Sequence, residues 1–169
     1  MRRLALLLLA ALAVPALAQP SSHGVSVSVP WAQWFEVDPN PVELVFAAPT
    51  EAGDAFAPVT ATSSYDITLA RVKEGREYKT FKITGHLVAA YASGITLRAN
   101  VSATSGLSSN GTSTGLQELP VGSANAVTLV TDIVSARGRN RPITYEASAT
   151  TDADPGTHTR TVTYTVTEM

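Results

Sequence analysis

The sequence predicts an all-β fold, an antiparallel β-sandwich. Three observations carry this. Short runs alternate apolar with polar side chains, as where Ile143, Tyr145, Ala147 and Ala149 are interleaved with Thr144, Glu146, Ser148 and Thr150. A period of two puts such neighbours on opposite faces of a strand. Turn-forming Gly, Pro, Asn and Asp punctuate these runs at short intervals. Beyond residue 19 no stretch keeps a 3.6-residue apolar period long enough for a helix.

The first residues stand apart from this pattern. Arg2 and Arg3 precede an apolar run, residues 4–14, that is short for a bilayer span. Ala16, Leu17 and Ala18 supply the small-residue site that a signal peptidase accepts. Residues 1–18 therefore read as a cleaved Sec-type signal peptide, and residues 19–24 as a flexible leader. Residues 25–169 form one domain, long enough to bury a sizeable core.

Val25, Val27 and Val29 alternate with Ser26 and Ser28, which predicts a first strand. It is resumed after Pro30 through residues 31–37. Pro39 and Pro41 mark a turn, and residues 42–46 follow as a strand with Val42, Leu44 and Phe46 on one face. Residues 47–62, rich in Pro, Gly and Ala, read as a long arch between the sheets. Tyr65, Ile67 and Leu69 share the next face. Glu74-Gly75 is a tight turn, and the returning strand sets Phe81, Ile83, Leu87 and Ala89 in phase around a bulge at Gly85. Ser93-Gly94 turns into Ile95, Leu97, Ala99 and Val101. Residues 102–115 are a polar loop or loose hairpin, and 116–119 a short strand.

Residues 126–136 predict a longer strand, 137–141 a hairpin loop, and Pro142 the start of a closing hairpin. Its second arm carries Val162, Tyr164 and Val166, after a turn over residues 151–156. Eight to ten such strands suit an immunoglobulin-like or jelly-roll-like sandwich, with a closed barrel as the other solution.

Composition narrows the function classes. The chain carries a net charge of −2, which becomes −4 when Arg2 and Arg3 leave with the signal peptide. That predicts no nucleic-acid partner. There is no cysteine, so the exported fold is held by its core and hydrogen bonds alone. No later apolar run has membrane length, so no membrane span is expected in the mature chain. The predicted location is periplasm, cell surface or extracellular space.

Candidate chemistry is sparse. His23, His86 and His158 have no metal-ligand spacing, and no Gly-x-Ser-x-Gly elbow occurs. No catalytic residue, metal or cofactor is expected. Asp152 and Asp154 fit a plain turn better than a calcium loop, since further ligands are missing. Trp31, Trp34 and Phe35 could stack on a sugar or contact a protein, with Trp31 and Phe35 on one strand face and Trp34 on the other; the plainer reading packs at least two of the three in the core. Arg137, Arg139 and Arg141 could grip carboxylates or phosphates of a surface polysaccharide, or simply solvate a hairpin tip. Val25, Val27 and Val29 could fill a groove of a neighbouring copy by strand addition, or pair within their own sheet.

The ending from Asp154-Pro155-Gly156 through Thr161-Val162-Thr163-Tyr164-Thr165-Val166-Thr167 resembles the last strand of the spore coat protein U-like group of secreted bacterial pilus subunits. That group has a similar turn before alternating Thr, Val and Tyr; this chain differs in lacking cysteine and in placing His158 where a ring is usual. The resemblance implies an immunoglobulin-like fold and a structural role outside the cell. The expected function is that of a non-enzymatic structural or adhesive surface component. The alternatives are a pilus-like subunit joined by strand exchange and a carbohydrate-binding module.

Overall fold

The computed structural model describes residues 26–28, 32–51, 54–103 and 110–169. Eleven strands occur among them: β1 (Gln33–Val37), β2 (Val59–Leu69), β3 (Lys73–Glu74), β4 (Glu77–Tyr78), β5 (Phe81–Leu87), β6 (Ile95–Val101), β7 (Asn110–Ser113), β8 (Gln117–Glu118), β9 (Val127–Ile133), β10 (Ala136–Ala149) and β11 (Val162–Glu168). The one helical piece among the described residues is a 3-10 turn, Ser123–Asn125.

Two antiparallel sheets face each other. The first has the order β1-β2-β10-β6-β8, the second β11-β5-β9-β7, and β3-β4 is a small separate ear. The alternation read from sequence sets the inward faces. Tyr65 and Ile67 of β2, Ile143 of β10 and Val101 of β6 meet Ile83 of β5 and Leu129 of β9, all almost wholly buried. Each such aliphatic side chain contributes about 1.5–3 kcal/mol by leaving water.

From β5 onward, successive strands alternate between the two sheets: β5, β7, β9 and β11 in the second, β6, β8 and β10 in the first. The chain thus advances by arches across the core. This overturns the predicted closing hairpin, because β10 pairs with β2 and β6 whereas β11 pairs with β5. The two arms do meet, but through the core, where the Tyr164 hydroxyl donates to the Tyr145 hydroxyl at 2.8 Å.

The predicted strand over 126–136 is two strands. β9 ends at Ile133 in one sheet and β10 begins at Ala136 in the other, with Asp132 in the left-handed region at φ 60°. The predicted hairpin loop at 137–141 is likewise strand. It lies in the fourteen-residue β10 and pairs with β2 through a bulge between Gly138 and Arg141. Asn140 takes φ 51° there, a conformation Asn tolerates better than most residues, and Pro142 sits within β10 opposite Ser64. A bulge is where a proline can enter a strand that has neighbours on both sides.

Four smaller expectations also change. Ser26, Val27 and Ser28 form no strand and are exposed; Val25 and Val29 lie outside the described residues. Residues 42–46 form no ladder, although Val42, Leu44 and Phe46 do pack on the core while Glu43 and Val45 face out. The connection read over residues 47–62 does not lead from one sheet to the other, since β1 before it and β2, which begins at Val59, are neighbours in one sheet. Ala89 lies beyond the end of β5 and is exposed. The Glu74-Gly75 turn, the Ser93-Gly94 turn and the short strand near residue 117 are found as predicted, with Gly75 at φ 62° and Gly94 at φ 83°. The polar stretch 102–115 contains β7, paired with β9.

Candidate groove and outer face

Two surfaces stand out. The first is a groove of about 570 Å³ at the side of the sandwich where β1 and β11 are the sheet edges. One wall is Phe35 and Val37 of β1 with the 38–44 segment; the other is residues 161–164 leading into β11. The floor is aromatic. Tyr145 and Tyr164 are inward because they fall in phase with the valines and alanines around them, and a buried phenol needs a partner. They supply one another.

Burial pushes both phenols up, and for Tyr164 the proximity of Tyr145 adds to the rise. Neither hydroxyl is therefore activated as a nucleophile. Arg160 closes one end. Its guanidinium lies over the Tyr91 ring at 5.5 Å, while Nε donates to the Ala90 carbonyl and an Nη to that of Thr159. Burial pushes the Tyr91 phenol up, and the Arg160 charge partly offsets this.

β11 has β5 on one side only, and among the described residues no strand pairs with its other edge. Its sequence, VTYTVTE, has neither the proline nor the lysine that commonly protects a strand edge. Across the groove, the 42–46 segment is extended and apolar toward the core yet has no ladder partner. The groove thus joins mixed walls, apolar at Phe35, Val37, Val42, Leu44 and Val162 and polar at Asp38, Asn40, Arg160 and Thr163, to a strand edge that has no ladder partner among the described residues.

The second surface is the outer face of the first sheet. Phe35 points inward, its ring 5.6 Å from that of Tyr65, so Trp34 points outward and is 60 % exposed. Trp34 stands opposite Thr68, and Thr68 stands opposite Arg137. One cross-strand row therefore carries the indole, a hydroxyl and a guanidinium. In the next row Glu36 faces Asp66. Asp66 accepts a 2.7 Å hydrogen bond from the Asn140 backbone N–H, which fixes the bulge that holds Arg139 exposed beside it.

The sequence-predicted residues are thus partly gathered and partly dispersed. Trp34, Arg137 and Arg139 share one outer face. Phe35 belongs to the core and the groove wall. Arg141, past the bulge, turns inward, and an Nη donates to the Ala103 carbonyl at 2.7 Å. Among the described residues its buried Nε and the buried Ser102 hydroxyl have no hydrogen-bond partner. The Tyr65 hydroxyl donates to the Ser102 carbonyl at 2.7 Å, and burial pushes that phenol up to about 12 despite the Arg141 charge nearby. Trp31 lies outside the described residues.

Sequence reasoning did not single out Tyr91, Tyr145, Tyr164 or Arg160. A signal for two of them was present: Tyr145 and Tyr164 occupy inward phases of the runs 143–149 and 162–166, whose other inward residues carry no polar group.

Among the described residues no three of His, Cys, Asp and Glu are placed to hold a metal ion, and no helix is long and apolar enough to cross a membrane. Comparison with known proteins finds no match, whether to a family model, a curated protein or a solved structure.

Proposed function

We propose that this chain is an exported, non-catalytic structural component of a cell surface, and that its copies join by strand addition. In this reading the alternating segment 25–29 of one copy lies along the free edge of β11 in the next. Val25, Val27 and Val29 pack against the Phe35, Val37, Leu44 and Val162 part of the groove, while the backbone adds hydrogen bonds to the sheet.

The observation that carries the proposal is the pairing of an unpaired β11 edge with a groove of about 570 Å³ beside it. Val27 is 82 % exposed and Ser26–Ser28 join no sheet of their own, so this stretch is available to a neighbour. The signal peptide read from residues 1–18 supports a place outside the cytoplasm, and the resemblance of the β11 stretch to secreted pilus subunits supports the same role.

The test is the size of the mature chain, residues 19–169. Polymers that grow with concentration and survive detergent without heating are expected. Deleting residues 19–29, or the change Val27→Asp, should leave a monomer, and a synthetic peptide of residues 19–30 should cap the wild-type chains. A wild-type monomer at every concentration would remove the proposal.

A further inference from the structure

The turn that leads from β10 toward β11 takes no part in strand addition. It contains one of the two Asp–Pro bonds of the chain, Asp154–Pro155; the other is Asp38–Pro39. An Asp side chain can close a five-membered ring on its own carbonyl carbon, and a proline nitrogen is a more basic leaving group than an ordinary amide nitrogen. We propose that Asp154–Pro155 is a site of self-cleavage, with Asp154 as nucleophile and His158 polarising the carbonyl it attacks.

His158 Nε2 lies 2.8 Å from the Asp154 carbonyl oxygen. A carbonyl oxygen only accepts, so Nε2 carries the hydrogen and donates it. Negative charge develops on that same oxygen when the bond is attacked, so the imidazole is placed to stabilise it. Gly156, between the two, takes φ 134°, a conformation essentially closed to residues with a Cβ. Asp154, Pro155 and Gly156 are exposed, so water reaches the bond. Among the described residues the Asp154 carboxylate has no hydrogen bond or ion pair to hold it away from its carbonyl. Asp38 differs on both counts. Its Oδ1 accepts from the Asn40 backbone N–H at 3.0 Å and from Asn40 Nδ2 at 2.7 Å, and among the described residues no imidazole donates to its carbonyl.

The reaction is a hydrolysis. An Asp154 carboxylate oxygen bonds to the Asp154 carbonyl carbon, and the carbonyl oxygen becomes negative against the His158 N–H. The C–N bond to Pro155 breaks, the proline nitrogen takes a proton from solvent water, and a cyclic anhydride remains on Asp154. A second water opens it to two carboxyl groups. Residues 155–169 then stay on β5, held by the ladder from Val162 to Glu168 and by the Arg160 bond to the Ala90 carbonyl.

The experiment is long incubation of the mature protein in mildly acidic buffer, which supplies the proton for the leaving nitrogen. Cleavage is read by mass spectrometry after denaturation, with folding followed by circular dichroism. Fragments 19–154 and 155–169 are expected, with the Asp38–Pro39 bond intact. In urea at the same pH this preference should vanish, and cleavage at Asp154–Pro155 should slow. His158→Ala should slow cleavage of the folded chain about tenfold, and Asp154→Ala should abolish it. Both side chains lie in a surface turn, so the variants should keep the wild-type melting temperature. No cleavage of the folded chain, equal cleavage at the two Asp–Pro bonds, a rate in urea as high as in the folded chain, or a folded variant cut at the wild-type rate would each overturn the proposal.

Discussion

At the scale of single residues, the inner face is defined by what fits. Gly85 lies in β5 between side chains of its two sheet neighbours, β9 and β11, and under Leu119. A Cβ there would sit 2.6 Å from Leu129 Cδ1 and 3.3 Å from both Leu119 Cδ2 and Tyr164 Cε1. Gly85→Ala should destabilise the fold by about 1–3 kcal/mol, read as a lower urea midpoint at unchanged slope. The Tyr145–Tyr164 hydroxyl pair makes a second case. Either Tyr→Phe change alone leaves one buried hydroxyl without its partner and should cost about 1–2 kcal/mol, whereas the double change should cost less than the sum. Strict additivity in that double-mutant cycle would show that the 2.8 Å contact carries no coupling.

At the scale of elements, phase was legible and partnership was not. The inward positions of β2, β5, β6, β10 and β11 follow from alternation of named residues, and the structure buries Tyr65, Ile67, Ile83, Leu97 and Ile143 as that phase requires. What the alternation could not say is which strand lies alongside. A run such as 143–149 followed by 162–167 has the same pattern whether the turn between folds it into a hairpin or carries it over the core. The bulge at Arg139 and Asn140 was invisible for a related reason: three arginines, a glycine and an asparagine look like a loop tip. The partner β2, with Asp66 taking the Asn140 N–H, makes them strand.

That same register split the candidate site. It put Trp34 and Arg137 in one row and sent Arg141 to the interior. The ear illustrates a weaker tie. Lys79 bridges Glu74 at 3.2 Å and Glu168 at 2.6 Å, which also holds its ammonium above the ordinary range, chiefly through the Glu168 hydrogen bond. Lys79→Met should speed amide exchange over β3 and β4 while leaving the global melting temperature almost unchanged. A large fall in melting temperature would mean that the ear belongs to the core.

At the scale of the whole molecule, two properties follow from architecture. Arches mean that nearly every ladder joins strands distant in sequence, so loop closure must precede pairing. Refolding of the mature chain should take milliseconds to seconds, and a microsecond phase with full amplitude would contradict this topology.

The other property is alkaline sensitivity. Burial raises the phenols of Tyr65, Tyr91, Tyr145 and Tyr164, so the fold favours their neutral forms. For a raised pKa the stability is complete below the ordinary value of 10.0 and is lost as pH climbs through the folded value, about 12 for Tyr65. Urea midpoints should therefore hold steady up to about pH 10 and fall steeply from there toward pH 12. A flat profile across that window would show that these phenols titrate as they do in the unfolded chain.

By itself the sequence determined the class of fold, the face each strand buries, and several of the tight turns. These are local properties: side-chain direction alternates with every residue of an extended backbone, and glycine takes positive φ wherever a turn needs it. Only the tertiary structure decided that strands connect across the core, that β11 has one ladder partner among the described residues and borders a groove, and that an indole and two guanidinium groups share an outer face. Those depend on register between segments far apart in the chain, and a one-residue slip would exchange every inward side chain for an outward one.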